Sequence, residues 1–218
     1  MPIKLTNISK SFNGNSSNKI NVLKKIDLEI QDNDMVAIMG RSGAGKSTLL
    51  NIIGCLDSPD EGEYLLDGQD ISKLSNSNLS TLRNSNFGFI MQDFALIEDE
   101  TVRHNILLPT YFSRTKIKTS CEELAKKLGI YKLLDTKASL LSGGEKQRTA
   151  IARAIINDSK YIIADEPTGA LDSVNAEMIM NIISDLHKTG KTIIIVTHDI
   201  IIAEKCQRVL NISDGHLN

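Results

Sequence analysis

An α/β fold with a mainly parallel core sheet is predicted by two patterns in the chain. A short apolar run, residues 35–39, hands over through a glycine-rich turn to the helix-like residues 46–55, and helix and strand patterns alternate regularly through the last third. A third pattern places antiparallel strands in front of that core: Ile26, Leu28 and Ile30 alternate with Asp27 and Glu29, as in a strand with one wet face. At 218 residues the chain is expected to form one domain, 1–218, able to bury a core without disulfides or metals.

The elements follow in order. Residues 13–18 are rich in Gly, Asn and Ser and read as a hairpin tip rather than a linker. Residues 77–129 are more polar, with helical spacing at 121–128 and one strand candidate at 87–91; a helical insertion is expected there, bounded at about 77–145. Beyond it, residues 145–157 and 174–188 read as helices, and 161–165 and 192–197 as buried strands. Residues 208–213, turned at Asp214-Gly215, read as a closing edge strand.

Composition excludes several classes. With 25 Lys+Arg against 27 Asp+Glu and a net charge of −2, the chain has no basic excess, and no nucleic-acid partner is expected. Cys55, Cys121 and Cys206 are odd in number and lack metal-ligand spacing, so they read as buried or incidental thiols in a reducing compartment. No uncharged apolar run approaches the ~20 residues of a spanning helix, and the first residues show no leader pattern, so a soluble chain is expected.

Gly40-Arg41-Ser42-Gly43-Ala44-Gly45-Lys46-Ser47-Thr48 fits the pattern G-x-x-x-x-G-K-[ST]. Its glycines let successive backbone N–H groups converge on phosphate oxygens at the positive end of the following helix, Lys46 adds a point charge, and the Ser47 hydroxyl can reach a Mg²⁺. Alone, this loop predicts a nucleoside triphosphate and no particular reaction. The apolar run Tyr161-Ile162-Ile163-Ala164 ends in Asp165-Glu166, at the strand edge where open α/β sheets bind ligands. One carboxylate can serve a metal and the other can orient and deprotonate a water; a solvated acidic turn before Pro167 is the other reading of this pair. Leu141-Ser142-Gly143-Gly144-Glu145-Lys146-Gln147-Arg148 supplies a second set of N–H donors before a helix, one that a single nucleotide per chain does not need. Ser142 also reads as a plain N-cap, and the two uses are compatible.

Taken in order, Phe12, the loop from Gly40, Gln92 after a strand, Leu141-Ser142-Gly143-Gly144-Glu145, Asp165-Glu166, Gly169-Ala170-Leu171-Asp172 and His198 resemble the ABC ATPase family over nearly the whole chain. That resemblance implies a P-loop NTPase domain with an N-terminal antiparallel β subdomain and an inserted α-helical subdomain. It implies ATP and Mg²⁺ as ligands. It also implies a head-to-tail pair, expected to be a homodimer, in which the phosphate loop of one copy faces the Leu-Ser-Gly-Gly-Glu segment of the other.

By the same resemblance Phe12 stacks on adenine, although the family commonly has Tyr there and a lone Phe after a strand also fits a core. Gly40, Arg41, Ser42, Gly43, Ala44, Gly45, Lys46, Ser47 and Thr48 hold the phosphates, with Ser47, Gln92 and Asp165 serving Mg²⁺. Glu166 is the general base, Gln92 a sensor touching the attacking water, and His198 a γ-phosphate partner. Ser142, Gly143, Gly144 and Glu145 meet the ATP of the other copy, and Asp172 lies across the pair. His104, His187 and His216 match no motif. Ala138-Ser139 stands where the family often has a proline, and Gly169-Ala170 where Ser-Ala is commoner.

Glu166-Pro167-Thr168-Gly169-Ala170-Leu171-Asp172 resembles the lipoprotein-releasing, macrolide-exporting and antimicrobial-peptide branch, whose ATPases drive a separate transmembrane permease subunit from the cytoplasmic face of the membrane. Residues 92–102 also resemble a group tied to bacteriocin export, although Asp99-Glu100-Thr101 reads equally as the polar start of a helix. The chain ends soon after its last strand, without the regulatory domain common in importers, which favours export. A non-transport regulator of the cell-division type is the rival reading. DNA-repair relatives, which carry a long coiled coil, and a P-loop kinase, which would leave residues 141–148 unexplained, fit less well.

Overall fold

The computed structural model describes residues 2–13, 19–114 and 119–217. Along the chain the elements are β1 (Ile3–Asn13), β2 (Lys19–Ile30), β3 (Met35–Met39), α1 (Lys46–Ile53), β4 (Glu61–Leu66), β5 (Gln69–Asp70), α2 (Asn76–Asn86), β6 (Phe87–Ile90), α3 (Val102–Leu107), α4 (Cys121–Lys127), α5 (Gly143–Ile155), β7 (Tyr161–Asp165), α6 (Ser173–Lys188), β8 (Thr192–Val196), α7 (Ile200–Ala203), β9 (Arg208–Ser213) and β10 (His216–Leu217). They gather into two compact units, residues 1–79 with 194–218, and residues 80–193. The hairpin tip expected at 13–18 falls, after Asn13, outside the described residues.

In the first unit an antiparallel sheet of order β2-β1-β4-β5 opens the fold. Its register pairs Ile3 with Ile30 and Leu5 with Leu28, so the apolar members of the alternating pattern share one buried face while Asp27 stays exposed. Asn7, at φ 54, interrupts the ladder as a bulge, and its N–H donates to Asp27 Oδ1 at 2.8 Å. β3, apolar throughout, pairs in parallel with β9. α1 buries Leu49, Leu50, Ile52 and Ile53, each burial worth about 1.5–3 kcal/mol. The buried hydroxyl of Tyr64 donates to Ile53 O at 2.6 Å.

β9 is not an edge strand as its sequence suggested. Asp214 and Gly215, at φ 51 and 83, form a tight turn that returns the chain as β10, so β9 has β3 on one side and β10 on the other. β10 is only two residues long, too short to leave a pattern. β4 and β5 were likewise not expected: β4 begins with the exposed Glu61-Gly62-Glu63, and only Tyr64 and Leu66 are buried.

In the second unit β6 pairs in parallel with β7, Phe87 opposite Tyr161 and Ile90 opposite Ala164. Tyr161, Ile162, Ile163 and Ala164 are at most 1% exposed, which explains their unbroken apolar run. α5 starts at Gly143, two residues before the sequence-based boundary, because Ser142 caps it and the glycines lie inside its first turn. α4 is capped by Ser120, and α6 buries Ile179, Met180, Ile183 and Leu186 along one stripe. α2 buries none of its residues. Cys55 and Cys121 are buried, and burial pushes the Cys206 thiol up to about 11. No helix among the described residues is long and apolar enough to cross a membrane.

Candidate functional site

β3 delivers the chain into the Gly40 loop, and the loop into α1. Gly40 sits so close to β9 that a Cβ there would come 2.3 Å from the Ile212 carbonyl oxygen, so no larger residue fits. Gly45 caps α1 at φ 105, a left-handed conformation, and as a glycine it offers no side-chain cap to the first N–H groups of the helix. The first turn carries no acidic residue either, so the positive end of α1 is left for an external anion. The Lys46 ammonium lies over the loop, donating to Gly40 O at 2.8 Å and Arg41 O at 3.0 Å. Arg41, Ser42, Gly43 and Ser47 are exposed, and Ala44 and Thr48 half-buried.

Two further members belong to the same unit. Phe12 is 46% exposed on β1, which rules out the core alternative, and Lys10 Nζ stands 5.4 Å above its ring. His198 is exposed just past β8, where Thr197 N donates to Ile38 O of β3 at 3.2 Å, so it stands at the carboxyl ends of the strands.

The second unit gathers the remaining candidates. Asp165 ends β7, and Glu166 follows at φ 45, unusual for a residue with a side chain. A turn closes there, Gly169 N donating to Glu166 O at 3.1 Å. Gln92, two residues past β6, comes to the same corner: a methyl group on Gly169 would sit 3.5 Å from Glu166 Cβ and 3.7 Å from Gln92 Nε2. The corner is braced from α5, where the buried Gln147 donates to Pro167 O at 2.6 Å.

Ser142, Gly143, Gly144 and Glu145 form the first turn of α5. The Glu145 carboxylate accepts from the Ser142 N–H at 2.8 Å and from its hydroxyl at 2.7 Å, and these bonds hold its pKa below the ordinary glutamate value. Gly143 faces residues 170–171, a Cβ there lying 3.4 Å from Leu171 Cδ2 and 3.8 Å from Ala170 O. Gly144 is crowded by a side chain, since its Cβ would meet Asn175 Oδ1 at 2.3 Å and Asn175 would have to turn aside. Asn175 in turn holds Asp172, its N–H and Nδ2 donating at 2.9 and 2.7 Å, which lowers the Asp172 pKa. Sequence patterning marked Asp172 and the glycines but not Asn175, which links them. Thr101 caps α3, accepting from His104 N at 3.1 Å, so Asp99-Glu100-Thr101 does open a helix.

Each motif has a local geometry suited to phosphate or to water chemistry, and comparison with known proteins decides the family. The profile of the ABC transporter family matches residues 23–169. The chain belongs to the ABC transporter family. This ABC cassette is 46% identical over 216 residues to the macrolide export ATP-binding/permease protein MacB 1 of Aeromonas hydrophila, an alignment covering 98% of this chain and 33% of that protein. It is 45% identical over 218 residues to the ABC transporter ATP-binding protein YvrO of Bacillus subtilis, covering 99% of this chain and 95% of that one. The cassette thus spans about a third of the length of the MacB relatives it matches.

Among solved structures, the dimeric form of MJ0796, a bacterial ABC transporter cassette, superposes with a TM-score of 0.91 at 39% identity, covering 99% of this chain and 96% of that one. A dimeric post-hydrolysis state of MJ0796 bound to ADP and Pi matches equally well. The chain is an ABC-type ATP-binding subunit and an ATPase.

Proposed function

We propose that two copies of this cassette close around ATP, the Gly40 loop of one copy and the Ser142, Gly143, Gly144 turn of the other grasping the same triphosphate, and that hydrolysis to ADP and phosphate releases the pair. The observation that carries this reading is that one chain presents two separate helix N-termini lined with glycine, one at α1 and one at α5. The dimeric MJ0796 cassettes support it.

Lys46 and the loop N–H groups hold the phosphates, and Phe12 offers an exposed ring to the base. Mg²⁺ fits the donors present. Among the described residues no cluster of three His, Cys, Asp or Glu forms an all-protein cage, whereas the Ser47 hydroxyl, Asp165 and Gln92 suit an ion held mainly by phosphates and water. When bound, the ion neutralises phosphate charge. Glu166 takes a proton from the attacking water, Gln92 orients that water, and His198 holds the γ-phosphate. Asp172 reaches the other copy.

The MacB relatives are named for macrolide export and unite cassette and permease. By that likeness this cassette drives a transmembrane permease in export or extraction of a peptide, lipoprotein or drug, bound at the cytoplasmic face of the membrane. YvrO, an ABC transporter ATP-binding protein that matches over 95% of its length, supports a permease carried on a separate chain.

Glu166→Gln tests the chemistry. It should lower the ATPase kcat by roughly 10²–10⁴-fold while ATP still binds. Wild-type turnover in that variant would remove Glu166 as the base.

A further inference from the structure

Arg153 stands in the last turn of α5, and its guanidinium reaches two consecutive carbonyls of the loop after β6. Nη2 donates to Phe94 O at 2.8 Å and Nη1 to Ala95 O. Both acceptors belong to residues in the left-handed region, Phe94 at φ 63 and Ala95 at φ 48, and neither is glycine. Two such residues in succession persist only where their surroundings hold them. The planar fork of a guanidinium holds two neighbouring oxygens in one fixed geometry, which the flexible point charge of an ammonium does not impose.

The same loop is fastened elsewhere to its neighbours. The Phe94 ring turns toward the opposite end of α5, its Cζ 3.9 Å from where a Cβ on Gly143 would lie. Lys146 of α5 pairs with Glu98 at 2.9 Å. The buried Asn105 of α3 accepts from Ile97 N at 2.8 Å and donates to Ile97 O at 3.0 Å.

We propose that Arg153 is a positioning residue for ATP hydrolysis: it fixes the left-handed pair Phe94 and Ala95 and so makes the loop bearing Gln92 move as one body with α5. A displacement at the Ser142 end of α5, where the partner's nucleotide is assigned, then reaches Gln92 instead of being absorbed by a slack loop. This rests on the reading of Gln92 as a hydrolytic residue. Arg153 itself touches no reacting atom and acts only through the backbone it holds.

Amide hydrogen exchange of residues 92–99 and steady-state ATPase kinetics are measured on the full chain for wild type, Arg153→Gln, Arg153→Lys and Gln92→Ala. Losing two charge-assisted hydrogen bonds should raise exchange in that segment and lower kcat, each about tenfold or more, with the KM for ATP within about twofold. Arg153→Lys keeps the charge but not the fork, so it should recover less than half of either loss. If Arg153→Gln is too unstable to purify, the lysine variant carries both readouts.

Unchanged exchange in residues 92–99 would overturn the proposal, as would full recovery by lysine or a raised KM with unchanged kcat. Wild-type kcat in Gln92→Ala would remove the catalytic reading of Gln92 and, with it, this route to hydrolysis. The exchange data would still report separately whether Arg153 holds the loop.

Discussion

Glu145 accepts both hydrogen bonds that Ser142 donates, and both favour its ionised form. Its folded pKa is the depressed one, so the stabilisation is complete above the ordinary value of 4.5 and is lost as pH falls through the lower folded value. Ser142→Ala should therefore lower stability by about 1 kcal/mol near neutral pH. The gap in unfolding midpoint between variant and wild type should narrow as pH drops below 4.5. A gap that stayed constant down to pH 3 would show that the capping carboxylate contributes nothing. Residue identities of this kind were legible in the sequence, since Ser142 and Glu145 stand at capping-box spacing. Lys10 over Phe12 was not, because Lys10 is held by Asp57, 47 residues along the chain.

The α5–α6 contact is decided by a single atom's worth of space. A methyl group on Gly144 would meet Asn175 Oδ1 at 2.3 Å, and Asn175 also holds Asp172, the N-cap of α6. Gly144→Ala should cost about 1–3 kcal/mol, and adding Asn175→Ala should recover part of that by vacating the space. Strictly additive effects in the double variant would mean that the two positions do not press on each other.

At this scale the parallel core elements were readable because their apolar runs are continuous, as in β7, and because α6 has a clear stripe. The start of α5 was set too late because glycines read as breakers, whereas at a capped N-terminus they are tolerated in the first turn. β9 was misread as an edge because its cover, β10, is two residues long. The left-handed pair Phe94 and Ala95 left no trace, since what stabilises it is an arginine 58 residues away from Ala95.

For the whole molecule, one chain carries a phosphate loop in the unit built on residues 1–79 and 194–218, and a second glycine-lined helix start in residues 80–193. The function proposed uses both halves of the motif set only when two chains meet, so each catalytic unit is shared. Mixing two inactive variants tests this most directly. Lys46→Ala removes the phosphate charge, and Gly143→Asp places a carboxylate where the partner's phosphate is assigned, in a space that tolerates a Cβ. Each variant alone should be nearly inactive. In an equimolar mixture half of the dimers should be mixed, each with one intact shared site and one doubly damaged one, so ATPase activity should return to roughly a quarter of wild type. Activity no greater than that of the separate variants, at any mixing ratio, would contradict a nucleotide held between two chains.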